Sequence, residues 1–386
     1  MDGACANKIF NPEHDQCLAN GNCNYDPPQS SLRLSRDCAA IMDWLPPEGN
    51  RPAVWGWDSV VRNRLAASGL SNLPDEGELQ AIRELSHRRV AIEAKRFIID
   101  SICSTANAAS ILPYICDSQP AELAELADVR EYCRKHASIV LKAPWSGSGK
   151  GLRWIRTEQF SRNDEHWCRK LIAKQGSVIA ERRRRVVRDF AMLYYIGAEG
   201  VVSEGMSLFL TDNGAYRGNV LASDNQIMRE LTHYVPELVI LAVESALRSF
   251  IESRFVGRYV GPLGVDMYIC DGGESDAAPG AILPERQFQL VPCSEFNVRN
   301  TMGRLARRYF DLAVSSPEHS GRREDEALLL LMLHSDTNSG LRGLVKGAEC
   351  ILTEMTDESL YAVAVFAGDN SCKTQITPEL HSSGDT

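Results

Sequence analysis

The stretch that decides the fold is Lys142-Ala143-Pro144-Trp145-Ser146-Gly147-Ser148-Gly149-Lys150-Gly151, which follows the apolar run Ser138 to Leu141. The apolar run predicts a buried strand that ends in a lysine, and the small residues after it predict a loop. Glycines at 147, 149 and 151 let backbone N–H groups approach an anion, while Lys142 and Lys150 supply positive charge. The stretch therefore predicts a phosphate-binding loop, and a flexible turn between two strands is the alternative. A Walker A loop is excluded, because it needs glycine at 144 and serine or threonine at 151, where this chain has Pro144 and Gly151.

A single carboxylate interrupts a later apolar segment. Asp266 lies in the middle of Gly261 to Ile269, which otherwise has the composition of a buried strand. Burying a carboxylate without a partner is costly, so a metal, a cation or an opening of the site is expected beside it. An exposed position on an alternating strand is the alternative.

A third polar group follows the apolar run Phe288 to Val291. In Cys293-Ser294-Glu295-Phe296-Asn297-Val298-Arg299, period-two alternation puts Glu295, Asn297 and Arg299 on one face. Two oxygen donors suit magnesium, and an arginine at the next position can hold a phosphate or acyl-phosphate oxygen. A polar outer face of a strand is the alternative.

The rest of the chain predicts a mixture of helices and strands. Strands and turns at the start suggest a parallel, Rossmann-like sheet, and the middle of the chain is rich in strands. We expect opening strands at 4–10 and 53–57, and later strands at 177–180, 191–196, 207–210, 265–270 and 288–291. We expect helices at about 74–111, 120–136, 236–255 and 328–333, an exposed loop at 271–284 and a frayed end at 369–386.

Composition limits the classes of function. A chain of 386 residues with 44% hydrophobic and 24% charged residues is typical of a globular enzyme with two or three subdomains. The formal charge of −9 argues against general nucleic-acid binding. The chain starts without an apolar signal core and its longest apolar run is too short to span a bilayer, so a cytoplasmic location is expected. The 12 cysteines form no CxxC pair, which favours free thiols over disulfides or zinc.

Taken together, the lysine with its glycine loop, the strand aspartate and the Glu-x-Asn-x-Arg segment resemble, in this order, the ATP-grasp superfamily, whose members include D-alanine ligase and glutathione synthetase. The resemblance covers about residues 5–310. Phe10-Asn11-Pro12-Glu13-His14-Asp15 and Thr301-Met302-Gly303 look like a bacterial branch of that superfamily. The resemblance implies an α/β (α+β) ATP-grasp fold with an N-terminal Rossmann-like domain. It divides the chain into residues 1–72, 73–176, 177–315 and a C-terminal extension, 316–386.

The resemblance also implies a nucleotide site. Lys142 would contact the phosphates of ATP, and the glycine loop, Ser146 to Gly151, would close over them. Glu181, at the end of the next strand, would mark the adenine hinge. Family members usually hold the ribose with an acid seven residues past the hinge, where this chain has Arg188, and Asp189 is the candidate substitute.

Two basic features depart from the family pattern. A lysine on the preceding subdomain often contacts the nucleotide, and Arg88 is the candidate for that role here. Helix capping and surface charge explain Arg88 nearly as well. Arg182 to Arg185 fits a solvated face, a phosphate clamp or a partner site.

By the same mapping Asp266, Glu295 and Asn297 would hold magnesium, and Arg299 would stabilise the reacting phosphoryl group. His14, Asp15 and Asn20 could line the acceptor end, with a plain turn as the alternative. The implied activity is that of an ATP- and magnesium-dependent ligase that activates a small-molecule or peptide carboxylate for attack by an amine or other nucleophile. A kinase-like phosphotransferase and a nucleotide-binding module without turnover are the alternatives.

Overall fold

The computed structural model describes residues 8–46, 51–117, 119–147, 149, 151–212, 214–272, 288–314 and 327–368. The described residues form both helices and sheets, so the predicted α/β (α+β) class is confirmed. The helices are α1 His14–Asn20, α2 Gln29–Asp37, α3 Ser59–Ala67, α4 Glu76–Leu85, α5 Arg89–Cys103, α6 Ala108–Ile111, α7 Leu126–Lys135, α8 Arg162–Gln175, α9 Asp224–Leu231, α10 Glu237–Phe255, α11 Met302–Tyr309 and α12 Asn338–Leu344. The strands are β1 Lys8–Ile9, β2 Ala53–Val54, β3 Ala121–Leu123, β4 Ser138–Lys142, β5 Leu152–Arg156, β6 Val178–Arg182, β7 Val186–Gly197, β8 Gly200–Asp212, β9 Ala215–Leu221, β10 Gly261–Asp271, β11 Phe288–Asn297, β12 Ala327–His334, β13 Cys350–Ile351 and β14 Tyr361–Gly368.

The largest sheet has eight strands in the order β11-β10-β7-β8-β9-β12-β14-β13, and its neighbouring strands pair antiparallel. Helices α5 and α10 pack on it, and Phe250 of α10 stacks on Phe296 of β11 with ring centroids 5.9 Å apart. These contacts fix one face of β10 and β11 in the core. The opposite face of the same strands is left to carry polar side chains.

The prediction of a helix at 328–333 is wrong, because this run lies in strand β12. A short apolar run has no periodicity that separates a buried strand from a buried helix. Here β9 and β14 lie on either side and supply the hydrogen bonds, with Leu330 opposite Asn219 and Val365. The C-terminal part of the chain thus extends the central sheet.

A second sheet has four strands in the order β3-β6-β4-β5. It packs on α7 and α8, and the core between them includes Val129, Leu141, Ile155 and Cys168. The predicted strand Ser138–Lys142 is confirmed as β4, and it hydrogen-bonds to both β5 and β6. The helix expected at 120–136 begins only at Leu126, because residues 121–123 pair with β6 instead.

The start of the described chain departs from the Rossmann-like prediction. Within 8–46 and 51–72 the strands are β1 and β2, a parallel pair of two residues each, so a Rossmann-like sheet is not confirmed. The helical region expected at 74–111 divides into α4, α5 and α6, whereas the long helix expected at 236–255 is confirmed as α10. Most of the loop expected at 271–284, and the end at 369–386, lie outside the described residues. The cysteines within the described ranges are free thiols, as predicted.

Candidate active site

Strands β10 and β11 bring two carboxylates face to face. Asp266 of β10 pairs in register with Glu295 of β11, while the neighbouring Val265 and Phe296 belong to the core. Asn297 hydrogen-bonds to Asp266, so three oxygen-bearing side chains meet on one face of the sheet. The alternation predicted for the Glu295 segment is therefore present in the structure.

The two facing carboxylates repel each other electrostatically. Burial and the charge of Glu295 raise the pKa of Asp266 to about 7, although the Asn297 hydrogen bond and the charge of Arg299 oppose the rise. A cation placed between the two acids would remove this repulsion. The alternative of an ordinary exposed aspartate on a strand does not fit these surroundings.

Lys142 reaches this group from the other sheet. At the end of β4 its ammonium lies 2.8 Å from an oxygen of Glu181 on β6 and 3.4 Å from the hydroxyl of Ser294. Sequence reasoning assigned no role to Ser294, because alternation puts it on the opposite face from Glu295. A bulge in β11 changes that geometry: Asp266 pairs with Glu295 but Tyr268 pairs with Val291.

The glycine loop connects β4 to β5. Gly149 and Gly151 have φ values of 73° and 79°, in the region that favours glycine. A Cβ at Gly149 would lie 2.5 Å from the carbonyl oxygen of Gly214 in the β8–β9 turn. The loop therefore closely approaches the larger sheet. Ser148 and Lys150 lie outside the described residues.

Arg88 holds the start of the glycine loop. Its guanidinium donates to the hydroxyl of Ser146 at 2.7 Å, to the carbonyl of Ser146 at 3.1 Å and to Glu295 at 2.7 Å. Arg88 is only 6% exposed, so a simple surface charge does not describe it. It connects the candidate phosphate loop to a candidate metal ligand.

The neighbouring residues Arg188 and Asp189 have opposite orientations on β7. Arg188 pairs with Glu230 at 2.6 Å and is not among the residues that line the cleft described below, whereas Asp189 is. Asp189 accepts a hydrogen bond from Thr211 at 2.7 Å. Burial raises the pKa of Asp189 to about 6, while the Thr211 hydrogen bond and the charge of Lys142 oppose the rise. Thr211 has no local sequence signal, because it lies on another strand.

Arg299 follows directly after β11 and contacts the N-terminal segment. Its guanidinium donates to both carboxylate oxygens of Asp15, at 2.8 and 3.3 Å. Of the three residues expected at an acceptor end, Asp15 thus approaches the site through Arg299. His14 is buried against Asp58, and neither His14 nor Asn20 lines the cleft.

One cleft of about 1380 Å³ joins these groups. The candidate residues in its lining are Arg88, Lys142, Gly147, Gly149, Glu181, Asp189, Asp266, Glu295, Asn297 and Arg299. Arg182 to Arg185 line the part next to Glu181, and Arg183 lies over Trp154 with its guanidinium carbon 5.4 Å from the ring centroid. Within the described ranges, no group of three or more His, Cys, Asp or Glu side chains could hold a metal ion. The magnesium prediction therefore depends on two carboxylates and one amide.

In the same ranges, no helix has the length and apolar character needed to cross a membrane.

No protein-family model matches the chain, and neither does any curated protein. Several solved structures are similar to it. N5-carboxyaminoimidazole synthetase from Staphylococcus aureus, complexed with ADP, shares 12% identity at a TM-score of 0.44 over 77% of this chain and 71% of that chain. Carboxyaminoimidazole ribonucleotide synthase from Aspergillus clavatus, complexed with ATP, shares 13% identity at 0.47 over 96% and 97%. Biotin carboxylase from Campylobacter jejuni shares 10% identity at 0.42 over 76% and 66%.

At such TM-scores and identities the likeness carries no conclusion about chemistry. The functional assignment therefore depends on the residues of the cleft.

Proposed function

We propose that this protein is an ATP- and magnesium-dependent ligase of the ATP-grasp kind, which activates a substrate carboxylate for attack by an amine or other nucleophile. One observation carries the proposal. Asp266 and Glu295 face each other across two strands in the same cleft that Lys142 and the glycine loop line from the second sheet. Phosphoryl transfer needs this combination of cations, oxygen ligands for a metal and a loop that excludes water.

ATP would lie between the two sheets. Lys142 and the backbone N–H groups of the glycine loop would bind its phosphates, since both supply positive charge to the same part of the cleft. Glu181 would mark the adenine end, and Asp189 would hold the ribose in place of the acid that the family pattern puts at Arg188. The four consecutive arginines next to Glu181 favour an anionic part of the nucleotide or substrate there.

Magnesium fits the acidic pair because both members offer hard oxygen ligands and because Asn297 and Arg299 offset only part of the rise in the pKa of Asp266. Asp266, Glu295 and Asn297 would hold it. When bound, the ion would neutralise charge on the phosphate oxygens. Arg88 already contacts Glu295, and we propose that it keeps this side chain directed at the phosphates.

The reaction would proceed in two steps. A carboxylate oxygen of the substrate attacks the γ-phosphorus of ATP, the bond to ADP breaks, and an acyl-phosphate forms. The nucleophile then attacks the acyl carbon, phosphate leaves, and the nucleophile loses its proton. Lys142 and Arg299 would stabilise the charge on the moving phosphoryl group, and the closed loop would protect the acyl-phosphate from water.

The domain limits at 72, 176 and 315 stay predictions under this proposal, and so does a cytoplasmic location. Residues 73–176 would supply the glycine loop, and 177–315 the hinge and metal ligands. Strands β12 and β14 join the sheet that carries the metal ligands, so the C-terminal part would support the site indirectly.

The test is carboxylate-dependent release of ADP. The purified protein is incubated with ATP, magnesium and a panel of amino acids, short peptides and other carboxylates, with hydroxylamine as a nucleophile that traps acyl-phosphates as hydroxamates. We expect ADP and hydroxamate to form in parallel for at least one carboxylate. Asp266→Asn and Glu295→Gln should abolish both products, while the exposed Asp26→Asn serves as a matched control for loss of one carboxylate.

Other outcomes would support the alternatives. A phosphorylated product that is stable to hydroxylamine would indicate a kinase-like phosphotransferase. ATP binding without turnover, unaffected by Asp266→Asn, would indicate a binding module. Failure to bind ATP in the presence of magnesium would contradict the proposal outright.

A further inference from the structure

The polar segment Asn11 to Asp15 adjoins the cleft, whose lining includes Pro12, and it has no role in the chemistry proposed above. A buried network fixes it in place. Asn11 donates to the carbonyl of Gly56 at 2.8 Å and to Asp58 at 3.0 Å, and it accepts from the N–H of Gly56 at 3.2 Å. Asp58 also accepts from the first backbone N–H groups of α3, so it fastens this network to a helix.

His14 completes the network. Its Nδ1 lies 3.3 Å from Asp58, and both side chains are 1% exposed. A Cβ at Gly56 would lie 2.6 Å from the His14 ring, so this position has room for glycine alone. Because the residues on both sides of the contact are fixed, the next residue along the chain, Asp15, has a fixed position too.

Asp15 contacts two residues of the cleft without lining the cleft itself. The first is Arg299, to which it makes the two hydrogen bonds described above. The side chains of Asp15 and Arg299 are only 19% and 11% exposed, so solvent screens the pair weakly. A paired arginine cannot rotate freely, and its planar group keeps one orientation toward the cleft. Burial on its own raises the pKa of Asp15, but the charges of Arg299, His14 and Arg88 outweigh it and hold the pKa below its usual range.

The second contact is with Gly147 of the glycine loop. A Cβ at this position would lie 2.0 Å from Oδ2 of Asp15, closer than any side chain can approach. The φ of Gly147 is not among the positive values, so its backbone conformation does not itself demand glycine. The close approach of Asp15 is what excludes a larger residue here.

We infer that Asp15 is a positioning residue that orients Arg299 and holds Gly147, at the start of the glycine loop, in place. The inference rests on the proposed function, because it assigns Arg299 and the loop their catalytic purpose. It adds that the N-terminal segment connects Gly147 to Arg299 through one carboxylate. Asp15 touches neither ATP nor substrate in this arrangement.

The first experiment measures hydrogen exchange of peptides covering residues 143–151 in the full chain without nucleotide, so it does not depend on ATP binding. The variants are Asp15→Asn and Gly147→Ala, and the matched controls are Asp26→Asn, at an exposed carboxylate, and Gly343→Ala, where a Cβ meets nothing within 4 Å. We expect exchange in the loop to become at least severalfold faster in both variants, because each disturbs the contact between Asp15 and Gly147. The controls should match the wild type. Because Gly147→Ala keeps the carboxylate of Asp15, it tests the loop contact even if Asp15→Asn folds poorly.

The second experiment measures nucleotide turnover. If Asp15 acts on Arg299 and the loop, Asp15→Asn should lower kcat by about tenfold or more while the KM for ATP changes little, because the lost orientation matters mainly in the transition state. The double variant Asp15→Asn/Gly147→Ala should be no worse than the poorer single variant, since both remove one contact. Unchanged loop exchange in both single variants would overturn the inference, whatever the protein does with ATP. Altered loop exchange in a protein that binds no ATP would uphold the loop contact and reject the ligase proposal.

Discussion

Asp266→Asn should make the metal-free protein more stable at neutral and alkaline pH while it abolishes magnesium-dependent activity. The substitution keeps the size of the side chain and removes one of two facing negative charges. In the wild type Asn297 and Arg299 compensate that charge only in part, and a bound cation would compensate the rest. The expected opposite effects on stability and activity are a direct test of whether the acidic pair is a metal site.

The magnitude follows from the pKa of Asp266, which rises from an ordinary value of 3.8 to about 7 in the folded protein. Below about pH 4 the carboxyl is protonated in both the folded and unfolded states, so it adds no pH dependence. Between about pH 4 and pH 7 the unfolded state has lost the proton that the folded state keeps, and stability falls as pH rises. Above about pH 7 the loss is complete, with an upper limit on the order of 4 kcal/mol.

The assay is thermal unfolding of the wild type and Asp266→Asn in EDTA, from about pH 5 to about pH 8. We expect the gain in Tm of the variant to increase with pH and to level off above about pH 7, reaching a few degrees at about 1 °C per kcal/mol for a chain of 386 residues. Adding magnesium with a non-hydrolysable ATP analogue should stabilise the wild type and have little effect on the variant. Asp26→Asn, at an exposed carboxylate, provides the control for an overall change in charge.

Two results would refute this reasoning. A variant that is less stable than the wild type at every pH would mean that Asp266 already has a sufficient partner in the metal-free protein. A gain in Tm that does not change with pH would mean that the carboxyl does not titrate in this range.

Three further predictions concern the rest of the cleft. Lys142→Met should weaken ATP binding and also destabilise the fold by about 3–5 kcal/mol, because it leaves Glu181 buried without its partner. Adding Glu181→Gln should restore the Tm but not ATP binding. A thermal shift assay with and without nucleotide measures both effects. Gly149→Ala should lower turnover, because φ is 73° there and the new Cβ would meet the β8–β9 turn. The Tm should change little. Turnover equal to that of the wild type would contradict the role proposed for the loop. Asp189→Asn should weaken ATP binding, measured by calorimetry, by about tenfold, because it removes the charge from one hydrogen bond to the nucleotide. Arg188→Gln should change the Tm and leave ATP binding unchanged.

Local sequence was sufficient for several elements. The apolar run before Lys142 was correctly predicted as a short buried strand. The alternating segment correctly put Glu295 and Asn297 on one face, because side chains of a strand alternate. The same local rule failed for 328–333, where an apolar run without periodicity became a strand through pairing with distant partners. It also overlooked Ser294, since a bulge interrupts the alternation.

The sequence by itself determined the chemical inventory: a lysine beside a glycine loop, a strand aspartate and an alternating polar segment, each a local pattern written in adjacent residues. Only the tertiary structure decided which of these meet. The pairing of Asp266 with Glu295, the contact of Asp189 with Thr211 and the contact of Asp15 with both Arg299 and Gly147 join residues far apart in the chain. Such contacts depend on strand register and on the packing of two sheets, and neither leaves a signal in the neighbouring residues.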